Sequence, residues 1–232
     1  MRLADIKSKN MEEGGIELLL KDLATSWAQA LSRITGEADH YKIALARYMI
    51  ESLLSTVLSL LFILFFGLIF GVLKTAVLLT VVVSILKAVM GGLHLKTPLR
   101  CALVGAIMTI ILSYIALFIP YRQIPNLVQL WVFLFLAYVV WKQAPLEAKG
   151  KPLTTEQKRR LARNSRILIL LIIFTCWCWP EGFAINELFY GTVFQVFTLT
   201  RPMARAIDGL DQLLDRGHNK FQVFKDIIRK GG

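Results

Sequence analysis

The run SLLSTVLSLLFILFFGLIFGVL at residues 52–73 decides the fold of this chain. Its 22 residues include no charged side chain. At a rise of 1.5 Å per residue, a helix of this length covers about 33 Å, which is enough to cross a hydrocarbon core of about 30 Å. The run therefore predicts a transmembrane helix.

Further apolar segments follow this first one. The chain is 56% hydrophobic with a mean hydropathy of +0.57, which is too apolar for an ordinary soluble domain. The sequence predicts an all-α integral membrane protein with about six transmembrane helices. Thr75–Leu86 is short and becomes a span only if Lys87 lies near one end and snorkels. The other expected spans are Cys101–Tyr121, Gln123–Trp141, Ile167–Pro180 and Ala184–Thr200.

The termini differ from this membrane body. We expect a cytoplasmic amphipathic region at 1–50, a six-span domain at 51–200 and a cytoplasmic amphipathic tail at 201–232, without a cleavable signal peptide. Apolar residues recur at helical spacing in both end regions, which predicts helices that lie on the inner leaflet or dock an amphipathic peptide. These residues are Ile16, Leu19, Leu20, Leu23, Trp27, Ala30, Leu31 and Ile34, then Ile207, Leu210, Leu213 and Leu214, then Phe221, Phe224, Ile227 and Ile228.

The distribution of basic residues predicts the orientation. The net charge is +11, and a six-span topology with both termini in the cytoplasm places 24 of the 27 Lys and Arg residues inside. This agrees with the positive-inside rule. We expect the protein to be a multi-pass cell-membrane protein with the loop at 91–101 in the cytoplasm. Membrane lipid is an expected partner, and nucleic acid is not.

The loop GGLHLKTPLRC at 91–101 carries the candidate chemistry. Thr97-Pro98 predicts a helix start, because Thr can cap and Pro is favoured at the first helical position. Cys101 then lies at about the fourth position, where the helix N-terminus favours a thiolate, and Lys96 and Arg100 add positive charge. Cys101 is therefore the predicted nucleophile.

His94 lies seven residues before this cysteine and is the predicted general base. Gly91 and Gly92 allow close approach of a peptide substrate, and backbone N–H groups here or at the helix start are candidate oxyanion donors. A structural interpretation stays open, in which His94 lies at the interface and the glycines end a helix. The other two cysteines, Cys176 and Cys178, are expected to pack as small apolar residues.

Glu51 is the third candidate catalytic residue. A carboxylate at the end of the first span can orient an imidazole. The alternative is an ion pair with Arg47 at i, i+4, and the spacing favours this pair. A metal site is less expected, because His94 and Cys101 leave at least two ligands unaccounted for. We expect no cofactor.

These residues resemble the accessory gene regulator B family, membrane cysteine endopeptidases that process quorum-sensing propeptides in Gram-positive bacteria. The family motif of a basic residue, a Gly-containing stretch, His, six residues and Cys matches Lys87, Gly91-Gly92, His94 and Cys101. The flanking patterns that also match are Arg47-Tyr48-Met49-Ile50-Glu51, where Met49 replaces a usual Gly, then Ala144-Pro145, Lys151-Pro152-Leu153, Lys158-Arg159-Arg160 and the stretch from Gln195 to Pro202.

The resemblance implies a function and a mechanism. The substrate would be a small propeptide whose acidic C-terminal tail is removed through a Cys101 thioester, followed by cyclisation to a thiolactone or lactone. His94 would act as base and then acid, Glu51 would orient it, and the enzyme would work as a homodimer. The residues predicted to contact the substrate are Gly91, Gly92, Lys87, Lys96 and Arg100.

Two other functions stay open at the level of sequence. One is a non-enzymatic membrane protein, such as a transporter or an assembly partner. Transporters often bury charges at mid-membrane, whereas Glu51 and Lys87 lie near span ends and only Glu187 is a candidate for a deep position. The other is a membrane metalloenzyme, which chelators would inactivate.

Overall fold

The computed structural model describes residues 15–36, 39–92, 95, 97–147 and 153–214. The described residues are all helical apart from turns and loops, and they contain no β-strand. The helices are α1 (Gly15–Thr35), α2 (His40–Ile69), α3 (Leu73–Met90), α4 (Pro98–Phe118), α5 (Asn126–Gln143), α6 (Thr155–Cys178) and α7 (Ile185–Thr198), with a 3₁₀ turn at Tyr121–Gln123. Residues 201–214 are also helical. The predicted all-α membrane fold is confirmed.

Five of these helices, α2 to α6, are long and apolar enough to cross a membrane. The short segment Thr75–Leu86 lies within the 18-residue α3, with Lys87 in its last turn, as the snorkelling argument requires. The expected sixth span, Ala184–Thr200, contains the 14-residue α7. At 1.5 Å per residue α7 covers about 21 Å, which is shorter than a hydrocarbon core.

Several span boundaries differ from those predicted along the sequence, among them the end of α2 and the start of α6. The first apolar run ends as a helix at Ile69, and a tight turn with Gly71 at φ +68° leads directly into α3 at Leu73. Hydropathy cannot show this turn, because its residues are as apolar as the helix before it. At the other boundary α6 begins at Thr155, well before the apolar run, because Thr154 and Gln157 form a capping box.

The described chain divides into two compact units. The first takes its described residues from Met1–Thr56, Leu95–Cys101 and Arg205–Gly232, and the second from Val57–His94 and Ala102–Ala204. In the first unit, α1 buries Ala24 and Ala28. Most of its apolar stripe is exposed. The exposed large side chains are Leu19, Leu23, Trp27, Leu31 and Ile34. The predicted apolar residues at 221–228 lie outside the described residues.

The second unit holds the main core, in which α3 packs against α7 and α6, and α6 packs against α5. Fully buried members include Met90, Leu136, Ile169, Cys176 and Val196. Gly191 lets α7 approach α3 closely, since a Cβ there would lie 2.8 Å from Val82 Cγ1. The end of α3 is therefore held on two sides, which fixes where the loop at 91–101 begins.

Candidate functional site

The start of α4 places Cys101, and the local sequence sets it. Pro98 is the first helical residue, and Thr97 caps the helix by accepting from the N–H of Arg100 at its Oγ1 (3.4 Å) and from the N–H of Cys101 at its carbonyl oxygen (3.1 Å). The predicted helix start is thus confirmed. Cys101 is the fourth residue of α4 and is partly buried.

One face of α2 adjoins this helix start. Ser55 donates a hydrogen bond from its Oγ to the carbonyl oxygen of Pro98 at 3.0 Å. Tyr48, seven residues earlier, lies on the same face of α2. The Ser55 hydrogen bond holds the first turn of α4 against α2 within the first unit. This contact could not be predicted from the sequence, because contacts between helices do not alter helical periodicity.

Glu51 lies on the same helix, where it forms an ion pair with Arg47. The Arg47 Nε and Glu51 Oε1 atoms are 2.9 Å apart, which confirms the i, i+4 pair that the spacing favoured. Both side chains are partly exposed, so the pair adds only about 0.3–0.5 kcal/mol to stability. An orienting role for Glu51 stays a prediction, and it would have to compete with Arg47 for the carboxylate.

Arg100 has an acidic neighbour that sequence analysis did not identify. Its Nη1 lies 3.9 Å from Asp211 Oδ1, and the Asp211 residue is only 3% exposed. Asp211 lies four residues after Ile207, on the apolar stripe of the helix at 201–214. A carboxylate on this apolar stripe is the feature of the sequence that could have identified it. Because Asp211 offsets the charge of Arg100, less of that charge acts on Cys101 than the sequence suggested.

In the second unit, Gly91 ends α3 and is enclosed by the chain. Its backbone has φ +76°, and its N–H donates to the Lys87 carbonyl oxygen at 2.9 Å. Gly91 forms an isolated parallel β-bridge with Leu146. The Leu146 N–H donates to the Met90 carbonyl oxygen at 2.9 Å. A Cβ at Gly91 would collide with the Leu146 carbonyl oxygen, so only glycine fits.

Gln195 holds the same segment from α7. Its Nε2 donates to the Gly91 carbonyl oxygen at 2.7 Å, and the residue is 2% exposed. Gly92 is buried, and a Cβ there would lie 3.2 Å from Lys87 Cε and 3.5 Å from Gln195 Nε2. The glycine pair therefore has the helix-ending role that sequence analysis left open. Its predicted contact with substrate stays a prediction, as does that of Lys87.

His94 and Lys96 lie outside the described residues. Cys101 and the glycine pair belong to different units, and each is described by its own surroundings. The other two cysteines differ from each other, since Cys176 is fully buried in the core and Cys178 is exposed. Packing as a small apolar residue is thus confirmed for Cys176 but not for Cys178, which ends α6. Over the described ranges, no group of three His, Cys, Asp or Glu side chains is placed to hold a metal ion.

Together the fold and the thiol define a class of protein: a multi-pass, all-helical membrane protein with a cysteine in the first turns of a membrane-spanning helix. The family model described as Accessory gene regulator B matches residues 24–199, and the chain belongs to that family. Family membership supports involvement in the processing of quorum-sensing propeptides. No curated protein and no solved structure matches the chain.

Proposed function

We propose that this protein is a membrane cysteine endopeptidase that removes the C-terminal tail of a small autoinducing propeptide and promotes its cyclisation. The Cys101 thiolate attacks the scissile carbonyl carbon after His94 takes the thiol proton. His94 then gives that proton to the leaving amine, and a Cys101 thioester remains. An internal thiol or hydroxyl of the peptide displaces Cys101, so ring closure needs no ATP.

The position of Cys101 in α4 is the observation that carries this proposal. Cys101 is the fourth residue of α4 and is only partly buried, so its thiol lies at the N-terminal end of the helix, where the helix dipole is positive. Cys176 has no such position, because it lies in the last turn of α6 and is packed in the apolar core. The contrast between these two thiols favours Cys101 as the nucleophile.

The same helix start limits where an oxyanion can be stabilised. Pro98 has no N–H, and the N–H groups of Arg100 and Cys101 donate to Thr97. An oxyanion bound at these donors would therefore have to compete with the cap. The glycine pair is the other proposed source of backbone donors.

We also propose that both termini and the loop at 91–101 face the cytoplasm, where the basic inner face attracts the acidic tail of the substrate. This attraction weakens with salt. Exclusion of water at the membrane edge protects the thioester from hydrolysis. Dimerisation of the enzyme, and orientation of His94 by Glu51, belong to the same proposal.

Cleavage of a tagged propeptide by full-length variants in membranes tests the nucleophile. We expect Cys101→Ser to abolish cleavage, and the matched variant Cys178→Ser to retain it, because Cys178 is exposed at the far end of α6. Wild-type protein should also yield a hydroxylamine-sensitive acyl-enzyme that Cys101→Ser lacks. Normal cleavage by a membrane-inserted Cys101→Ser variant would refute the proposal.

A second pair of variants tests the base. His94→Ala should abolish cleavage, whereas His40→Ala should leave it unchanged, because His40 is an exposed residue at the first position of α2. Insertion of each variant is checked by its expression level in the membrane fraction. Equal cleavage by the two variants would exclude His94 as the general base. The role of Cys101 is tested separately by Cys101→Ser.

A further inference from the structure

A cavity of about 360 Å³ lies at the C-terminal end of α5, within the second unit. Its lining comprises Tyr138, Lys142 and Gln143 from the last turns of α5, with Arg201 and Pro202 from the chain after α7. This volume falls within the usual range for small-molecule sites. The proposed peptidase chemistry uses none of these five residues.

The lining is cationic and rich in hydrogen-bond donors. Lys142 Nζ lies 3.0 Å from the Tyr138 hydroxyl oxygen, so this hydroxyl holds the ammonium group at the cavity. Arg201 contributes a guanidinium, which suits phosphate oxygens, and Gln143 an amide. None of the five lining residues is acidic. An anion with several acceptor oxygens fits this lining, and a ligand that carries its own cation finds no partner.

The cavity also lies at the C-terminal end of an apolar ridge on α5. Leu130, Leu134, Tyr138 and Lys142 follow one another at intervals of four residues, so they share one face of α5, and all four are exposed. From Leu130 to Lys142 this face rises about 18 Å, close to the depth of one leaflet of the hydrocarbon core. An occupant with an anionic head and a long apolar tail matches both parts of the face.

Aromatic residues at this end of α5 are typical of a helix end at the membrane surface. Trp141 and Tyr138 are both about half exposed, and the Arg166 guanidinium lies 5.4 Å from the centre of the Trp141 ring. Trp and Tyr are enriched where the hydrocarbon core meets the headgroups, and basic pockets between membrane helices bind anionic headgroups at that level. The height of the cavity therefore suits a headgroup.

We infer that this cavity binds the phosphodiester headgroup of an anionic glycerophospholipid, with one acyl chain lying along the ridge from Tyr138 to Leu130. The phosphate accepts from Lys142 and Arg201. A zwitterionic phospholipid binds more weakly, since its ammonium group has no carboxylate to meet in the cavity. The inference depends on the cavity and the ridge alone and not on the peptidase proposal.

Native mass spectrometry of the purified full-length protein, titrated with phosphatidylglycerol or phosphatidylcholine, tests this inference. We expect phosphatidylglycerol to bind more tightly than phosphatidylcholine. Loss of both cations in Lys142→Gln/Arg201→Gln should weaken phosphatidylglycerol binding about 30-fold, at roughly 5-fold for each charge removed. The charge-conserving variant Lys142→Arg/Arg201→Lys should keep most of the affinity.

The matched control removes the same net charge elsewhere. Lys158 is ion-paired with Glu147 and Arg159 is exposed beside it, so Lys158→Gln/Arg159→Gln should leave binding within about 2-fold of wild type. If the two double variants lost the same affinity for phosphatidylglycerol, the lipid would be attracted by the overall positive charge of the protein, and the inference would be overturned. Equal binding of the two lipids would overturn it as well.

Two competition experiments test whether the cavity binds a lipid headgroup or another kind of anion. Inorganic phosphate or glycerol 3-phosphate at the lipid concentration should displace little phosphatidylglycerol, because neither has a chain to occupy the ridge. Displacement by these ions would assign the cavity to a soluble phosphate and overturn the inference. Displacement by a short acidic peptide at equal concentration would assign it to a peptide tail, with the same result.

Discussion

Substitution of Gly91 by alanine tests whether the end of α3 is held as tightly as its contacts suggest. The backbone at Gly91 has φ +76° and ψ −166°, a conformation that is essentially restricted to glycine. An added Cβ would collide with the Leu146 carbonyl oxygen. Either the loop that carries Leu146 or the end of α3 must therefore move.

The expected loss has two parts. Forcing alanine into this backbone conformation costs about 1–3 kcal/mol. Displacing Leu146 also strains two hydrogen bonds, from Leu146 to Met90 at 2.9 Å and from Gln195 to Gly91 at 2.7 Å, at about 1 kcal/mol each. We therefore expect the free energy of unfolding to fall by about 3–5 kcal/mol.

Gly71→Ala is the matched control. Gly71 also has a positive φ, of +68°, but a Cβ there would meet no atom within 4 Å. It should lose only the backbone part, about 1–2 kcal/mol. The difference between the two variants, about 2–3 kcal/mol, corresponds to about 4–12 °C in the unfolding midpoint for a chain of this size.

Thermal unfolding in detergent, followed with a thiol-reactive dye, measures this difference. In a Cys101→Ser/Cys178→Ser background the only thiol is Cys176, which is fully buried in the core and reacts only when that core opens. Gly91→Ala should show a clearly lower midpoint than Gly71→Ala. Equal midpoints would refute the conclusion that the Leu146 contact holds the end of α3.

Three further substitutions test individual contacts. Gln195→Leu removes the donor to the Gly91 carbonyl oxygen and should lower the free energy of unfolding by about 1–3 kcal/mol in the same dye assay; an unchanged midpoint would contradict this. Thr97→Ala removes the cap that accepts from Arg100 and should cost about 1 kcal/mol, which Thr97→Ser should restore. Asp211→Ala should cost about 1–3 kcal/mol in denaturant unfolding, and a double-mutant cycle with Arg100→Gln should show coupling; additive effects would exclude an interaction.

The helix start at Thr97-Pro98 and the ion pair between Arg47 and Glu51 show how far local sequence reaches. Both depend on residues at most four positions apart, and caps and i, i+4 pairs form in any helix that contains them. The membrane-spanning helices were predictable for a similar reason, since a long apolar run must satisfy its backbone within itself.

The turn at Gly71 and the 14-residue α7 show where such reasoning fails. Hydropathy treats 52–73 as one segment, although the helix ends at Ile69 and a turn at Gly71 precedes the next helix at Leu73. An apolar turn between two apolar helices leaves no signal in composition. The apolar run Ala184–Thr200 has 17 residues, whereas α7 has only 14, from Ile185 to Thr198. The length of an apolar run therefore does not give the length of the helix within it.

The sequence by itself therefore determined a helical membrane protein of the accessory gene regulator B family, with Cys101 in the first turns of a helix. Only the tertiary structure decided which groups surround the candidate chemistry: Gln195 lies 104 positions from the Gly91 carbonyl that it binds, and Asp211 is buried beside Arg100. The physical reason is that periodicity and caps depend on neighbours within one helix, whereas these contacts exist only after separate helices have packed together.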